Sequence, residues 1–514
     1  MPENPSTPLR VTLIALLPAL CLKLGLHLAA LSQYGYFRDE LYYVASTGHL
    51  GFGYVEHPPL FIWLLAVWTG IFGESVGAIR IFSVLAGTAH VAVVGLMVRS
   101  IGGRAFAQAF AALATALTPV FLGSQHFYSM NVFDQFFWAT AGLVLIPLFR
   151  TGKSEYWLRL GLVLGLGLLN KISVLFLGAG IIVAFLLSPS RRALLTRWPW
   201  FAGGISLLLF LPFLIWQAVH GFPLLEFIRN ATSIKMVNPG PIAFLRAQVL
   251  NMNPLAAPVF LAGLVGVFLV KDLRQYAFMP VIFLTVVAIL LGSGSNKAYY
   301  LAAAYPFLLV PGVVVVERLC ARSFARIAGW AYAGIVVVGG LLATPLAIPI
   351  LPPEAFVDYQ RRLGVAQQPE ERSTLGPLPQ HLADMFGWEE FVAEIAKAYN
   401  ALPPSERAKC AIFVRNYGEA GAIDVLGRKY GLPHAISGHN TYWYWGTGSY
   451  NGEVLIMVGG NLDEEARTFE SVERVGTTPD SKYSMPYERN RPIYLCKKLK
   501  IPLREAWGRS REII

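Results

Sequence analysis

Charge is what this sequence has least of. Only 14% of its 514 residues are Asp, Glu, Lys or Arg, where a soluble domain usually carries about 25%. Hydrophobic residues make up 55%, and the mean hydropathy is +0.51. That many apolar side chains cannot be hidden inside a water-soluble fold of this length, so most of the chain takes lipid as its solvent. A soluble enzyme, a disordered scaffold and a disulfide-stapled secreted module are excluded. Cysteine is scarce too, with four in all. Cys21 and Cys320 fall in or beside apolar segments. Cys410 and Cys496 lie in a polar tail, where they either pair in an oxidising compartment or stay free and buried.

The charge that exists is unevenly spread. Residues 1–349 carry 22 Lys and Arg against 10 Asp and Glu, a balance of +12. Residues 350–514 carry 20 against 21, or −1, which accounts for the chain's +11. The excess lies wholly in the apolar part, where basic residues set membrane orientation. No basic stripe exists on the polar part to follow a phosphate backbone, so nucleic acid is not a partner.

Apolar runs long enough to span about 30 Å of hydrocarbon occur at 11–31, 78–98, 105–123, 131–149, 198–217, 253–270, 277–292, 298–316 and 328–349. The stretch 157–187 consists of two shorter pieces that meet at Asn170-Lys171. Basic residues at 10, 99–104, 150–159, 191–197, 271–274 and 318–326, Arg322 among them, belong on the cytoplasmic side. Arg159 and Arg191 flank 157–187, so that stretch crosses twice as two short helices with Lys171 at the far surface. Eleven crossings follow, with the N-terminus inside and residue 350 onward outside. The first span reads as a retained signal anchor rather than a cleaved signal peptide.

The predicted architecture is an α-helical polytopic membrane domain over 1–349, with an outer loop at 32–77, followed by an extracytoplasmic α/β domain over 350–514. In that tail, Gly387–Leu402 reads as an amphipathic helix and Glu419–Tyr430 as a second helix. Cys410–Val414 and Val454–Val458 read as buried strands. The glycines of 161–167 lie in a span and suit helix packing better than nucleotide binding.

Acidic residues are the informative class, because the membrane part has ten. A charge at the centre of a membrane helix costs about 2.5–3.5 kcal/mol, so polar groups there are functional candidates. Asp39, Glu40, Glu56, Glu74, Asp134 and Glu226 all map to the outer side. Asp39 and Glu40 open a helix and point in different directions. One of the pair serves as a general base while the other holds the helix, or both simply complement the helix macrodipole. Glu56-His57-Pro58-Pro59-Leu60 precedes an apolar stretch, 60–72, too short to span and suited to the interface. Glu56 and His57 are candidates for a divalent metal or an anionic head group, although two ligands alone do not make a metal centre. Asp134, with His126 in the preceding loop, needs a partner. Lys171 and Lys297 break the positive-inside trend, either as contacts to an outer-leaflet phosphate or as two snorkelling lysines. Carboxylates and lysines on one membrane face suit a reaction between a lipid-linked phosphate sugar and a hydroxyl.

Arg38-Asp39-Glu40-Leu41-Tyr42-Tyr43, Glu56-His57-Pro58-Pro59-Leu60, Asn131-Val132-Phe133-Asp134, Leu169-Asn170-Lys171, and Lys297-Ala298-Tyr299-Tyr300 with Tyr305-Pro306 occur in that order. Together they resemble the GT-C membrane glycosyltransferases, and more narrowly the protein-mannosyltransferase-like group that includes the lipid A aminoarabinose transferase. The resemblance covers about residues 10–350. It implies a polyprenyl-phosphate-sugar donor, a lipid, glycan or protein acceptor, and an inverting transfer at the extracytoplasmic face of the inner (plasma) membrane. It implies Asp39 as catalytic base with Glu40 beside it, Asp134 as the second acidic residue, and Glu56 as a carboxylate that in some members helps bind a metal. Lys171, Lys297 and the adjacent Tyr299 match positions facing the donor phosphate, and His57 stands where a lysine often makes that contact.

The tail's oddest feature is Tyr442-Trp443-Tyr444-Trp445, suited either to stacking on an acceptor sugar or to an aromatic anchor at a membrane or domain contact. The rival reading for the whole chain is a transporter or flippase of a lipid-linked sugar. It would place its site near the midplane with internal repeats, and neither is evident here.

Overall fold

The computed structural model describes residues 7–294, 297–321, 323–367, 369 and 371–514. Ser295 and Asn296, which lead into Lys297, and Arg322 of the basic cluster lie outside the described residues. Packing divides the chain into two units. The first comprises Met1–Leu31, Gly77–Ile215 and Asn238–Ile350, and the second Ser32–Val76, Trp216–Val237 and Leu351–Ile514. The outer loop, expected with the membrane part, therefore groups with the tail.

The first unit is helical. Five helices are long and apolar enough to cross a membrane: Leu9–Ala30, Val76–Ser100, Met130–Thr151, Arg197–Val219 and Ala325–Ala347. Three sharply bent pairs raise the number to eight if each is one span. The chain is a multi-pass membrane protein; helix length supports between five and eight spans among the described residues, and the eleven expected crossings included shorter helices. A proline removes one span, since it disfavours helix at the preceding residue, while Ser154–Asn170 and Phe278–Ser293 are short, at 17 and 16 residues. Thr118, before Pro119, is extended (φ −70°, ψ 123°) and splits 105–123 into Ala105–Ala116 and Pro119–Ser124. A 57° bend separates the 3-10 turn Ala298–Ala304 from Pro306–Leu319, with Tyr305 between them still in the helical region (φ −62°, ψ −30°). The stretch 157–187 forms two helices, Ser154–Asn170 and Val174–Leu187, that meet at Lys171.

Small residues bring these helices together. A Cβ on Gly161 would lie 2.6 Å from the Ala202 carbonyl oxygen, and Ser206 Oγ donates to the Gly161 carbonyl at 2.8 Å. Across another pair, a Cβ on Gly263 would lie 1.9 Å from Leu308 O, and one on Gly312 2.1 Å from Val259 O. In lipid such close approach is a main source of helix association.

The second unit contains a five-stranded sheet: β1 (Cys410–Phe413), β2 (Ala435–Ile436), β3 (Val454–Val458), β4 (Phe469–Thr477) and β5 (Pro492–Leu499). Their order is β2-β1-β3-β5-β4, with β1 parallel to β2 and β3, and β5 antiparallel to β3 and β4. The helix Tyr417–Leu426 makes the crossover from β1 to β2. The expected amphipathic helix is present as Trp388–Asn400. β4 was not foreseen, because its outward charges give it the look of a loop. Those charges protect an exposed sheet edge from pairing. Cys410 pairs in register with Val454 and Cys496 with Leu455, so β3 separates them. Two strand spacings of about 4.8 Å are too far for a disulfide, and both thiols are free and buried.

Candidate active site

Asp39 stands in the first turn of the helix Arg38–Ser46. Successive helical residues point about 100° apart, and the two carboxylates have divergent fates. Glu40 is fully buried and accepts the Phe37 N–H at 2.9 Å, the return half of a capping box at the helix start. Asp39 keeps 26% side-chain exposure. Its Oδ1 accepts the Tyr417 hydroxyl at 2.9 Å and lies 3.6 Å from Arg38 Nε. Arg38 is anchored in turn: its N–H donates to the Asp384 carbonyl at 3.0 Å and its Nη1 to the Tyr487 hydroxyl at 2.7 Å.

Glu56 belongs to the same unit. The Thr441 hydroxyl donates to its Oε2 at 3.3 Å while accepting the Val55 N–H at 3.0 Å. Burial pushes the Glu56 carboxyl up to about 7, opposed by the Tyr42 hydroxyl and reinforced by the nearby Asp39. His57 does not supply the cation expected of it. Its ring is caged by Phe61, Tyr54, Tyr43 and Tyr42 at centroid distances of 4.7, 4.8, 5.6 and 6.0 Å. Burial drives its ionisation down to about 3, so at neutral pH it carries no charge toward a phosphate. Its Nδ1 lies 3.2 Å from the Pro58 carbonyl and its Nε2 has no hydrogen-bond partner. Among the described residues, no three His, Cys, Asp or Glu side chains converge as metal ligands. Glu56 and His57 alone do not make up a three-ligand centre.

The first unit holds the other expected residues. Ser129 caps the helix Met130–Thr151 by accepting the Asn131 N–H. Within that helix, Asp134 accepts the Ser173 hydroxyl at 2.6 Å and lies 3.6 Å from Lys171 Nζ. Lys171 occupies the extended break between two helices (φ −158°, ψ 136°), which swings its side chain toward that partner. Its ammonium also donates to Asn131 Oδ1 at 2.7 Å and sits 5.6 Å above the Tyr300 ring. Lys171, expected as an anion site, thus shares its charge with Asp134. Lys297 is half-buried and precedes the 3-10 turn Ala298–Ala304, where Tyr299 packs edge-on to Tyr300. Asp134, Lys171 and the 297–300 segment are brought together, while Asp39, Glu40, Glu56 and His57 are grouped in the second unit.

Sequence reasoning missed Tyr417, Thr441 and Ser173. Tyr417 lies 378 residues from Asp39, and its only local signal was the capping box of Asn416 and Glu419. The aromatic run 442–445 is a packing element: Tyr442 donates to Asp424 at 2.8 Å, and Trp445 stacks on His49 at 4.2 Å.

Residues 56–216 match the family model described as dolichyl-phosphate-mannose-protein mannosyltransferase. The lipid A galacturonosyltransferase RgtD of Rhizobium johnstonii is 30% identical over 186 residues, 36% of this chain and 39% of that protein. The match thus spans about two-fifths of that relative's length. Among solved structures, ArnT from Cupriavidus metallidurans bound to undecaprenyl phosphate superposes with a TM-score of 0.61 at 13% identity, covering 93% of this chain and 97% of ArnT. The Archaeoglobus fulgidus oligosaccharyltransferase tethered with an acceptor peptide gives 0.52 at 14%, covering 88% and 69%. The chain therefore has the GT-C fold and is related, through its matched segment, to the protein-mannosyltransferase-like GT-C proteins.

Proposed function

We propose that this protein is an integral membrane glycosyltransferase. It moves a sugar from a polyprenyl-phosphate donor to a hydroxyl of a lipid, glycan or protein at the extracytoplasmic face of the inner membrane, in cell-envelope biosynthesis. The observation that carries the reading is Asp39: a carboxylate with one oxygen held by Tyr417 and the side chain still open to solvent. The relatives support the donor class, since the similar ArnT structure is one bound to undecaprenyl phosphate.

In this reading the acceptor oxygen attacks the anomeric carbon from the face opposite the phosphate. The bond between that carbon and the phosphate oxygen breaks, and its electron pair leaves with polyprenyl phosphate. The acceptor proton passes to the free oxygen of Asp39, and the configuration inverts. Lys171, Lys297 and Tyr299 of the first unit are the residues proposed to contact the donor phosphate. Asp134 has both oxygens engaged by Ser173 and Lys171, so it positions Lys171 rather than taking a proton. Glu40 holds the helix that carries the base, and Glu56, protonated up to about pH 7, does not compete with Asp39 for that role.

A positioned general base contributes about 10²–10⁴-fold. Asp39→Asn is expected to lower kcat for release of polyprenyl phosphate by that factor, with the melting temperature of the purified protein retained. Wild-type turnover in the variant would remove Asp39 as the base.

A further inference from the structure

The segment after residue 350 packs its most buried helix against the helix that carries Asp39. In Tyr417–Leu426, a Cβ on Gly421 would lie 2.7 Å from the backbone of Leu41 and Tyr42, and one on Gly418 2.3 Å from Arg38 Cγ. These glycines let the two helices meet backbone to backbone. Tyr417 opens the tail helix. Its N–H donates to His439 Nδ1 at 3.0 Å, and its ring stacks on His439 at 5.0 Å and 9°. The other His439 nitrogen is held 3.1 Å from the Ile514 carbonyl oxygen. The Tyr42 ring lies 4.9 Å away and the Arg38 guanidinium 5.4 Å above the Tyr417 ring.

These ring contacts would be made equally well by phenylalanine. The hydroxyl is the part that packing does not explain, and it is directed at Asp39 Oδ1. Burial holds the Tyr417 ionisation well above the ordinary tyrosine range, so the group is a donor at every working pH. A carboxylate with one oxygen fixed by a rigid donor presents the other in a set direction, the kind of orientation on which catalytic geometry depends.

On the glycosyltransferase reading of Asp39, we propose that Tyr417 is a positioning residue for the catalytic base, so that the tail is a working part of the active site. Thr441 has the parallel place at Glu56, bonded at once to its carboxylate and to the Val55 N–H.

The test uses the purified full chain and Tyr417→Phe, which keeps every ring contact. With a polyprenyl-phosphate sugar and acceptor, kcat is expected to fall about tenfold to a hundredfold. The donor KM should stay within about twofold and the melting temperature should hold. An unchanged kcat, or a loss confined to KM, would overturn the assignment. A second measurement needs no substrate: carbodiimide labelling of Asp39, read by mass spectrometry, is expected to be several-fold faster in Tyr417→Phe. Equal labelling rates overturn the proposal. If the wild type releases no polyprenyl phosphate at all, the transferase reading fails, and the labelling result still decides whether Tyr417 holds Asp39.

Discussion

Asp39 and Glu40 are adjacent in sequence, yet one caps its own helix in a buried setting while the other faces outward. That division was legible from helical geometry as two options for the pair, and the family resemblance alone favoured Asp39 as the open one. Glu56 ties stability to pH. Its carboxyl sits at about 7 in the folded protein, above its value near 4.5 in an unfolded chain. The folded state therefore holds an extra proton between those values. The stability this supplies is complete below about pH 4.5 and is lost as pH rises through 7. At about 1.4 kcal/mol per pH unit, Glu56→Gln is expected to gain up to about 3 kcal/mol relative to wild type between pH 4.5 and 8. Melting temperatures in detergent across that range check it, and a constant difference between variant and wild type would be the contrary result. The caged His57 shows the limit of motif reading. Its neighbours in the chain suggested a ligand, whereas its neighbours in space are four aromatic rings.

At the scale of elements, hydropathy located the helices well and their continuity poorly. Runs such as 105–123 and 298–316 are apolar throughout, but the first is broken at Pro119 and the second bends by 57° where a 3-10 turn meets an α-helix, which a window average does not register. The buried strands β1 and β3 were readable as short apolar runs. The edge strand β4 was not, since its pattern reflects water on both sides more than a core. The glycines are where element packing is most exposed to test. Gly312 and Gly263 allow the helix Pro306–Leu319 to meet the backbone of 259–263, with Val259 O only 2.1 Å from a Cβ on Gly312. Gly312→Val must push the two apart and is expected to cost about 3 kcal/mol, the upper end for overpacking. Gly334→Ala, with nothing within 4 Å of its Cβ, is the matched control. Thermal melts of the two variants compare them, and equal stability would contradict the close helix contact.

For the whole molecule, the scarcity of charge excluded a water-soluble fold, and the +12 against −1 partition identified a membrane part and a polar tail. It did not show that the loop Ser32–Val76 packs with the tail. Long-range pairs such as Asp39 with Tyr417 leave no periodic trace in sequence, because each partner looks locally like an ordinary helix start. The proposed reaction breaks a glycosyl–phosphate bond rather than carrying a lipid-linked sugar across the membrane. Detergent-solubilised protein has no compartments between which to transport. Supplied with a radiolabelled polyprenyl-phosphate sugar and an extract of envelope lipids and glycans, it is predicted to release free polyprenyl phosphate over many turnovers and to transfer the label to an acceptor with inverted configuration. A donor left intact in detergent but moved between leaflets in proteoliposomes would contradict that claim.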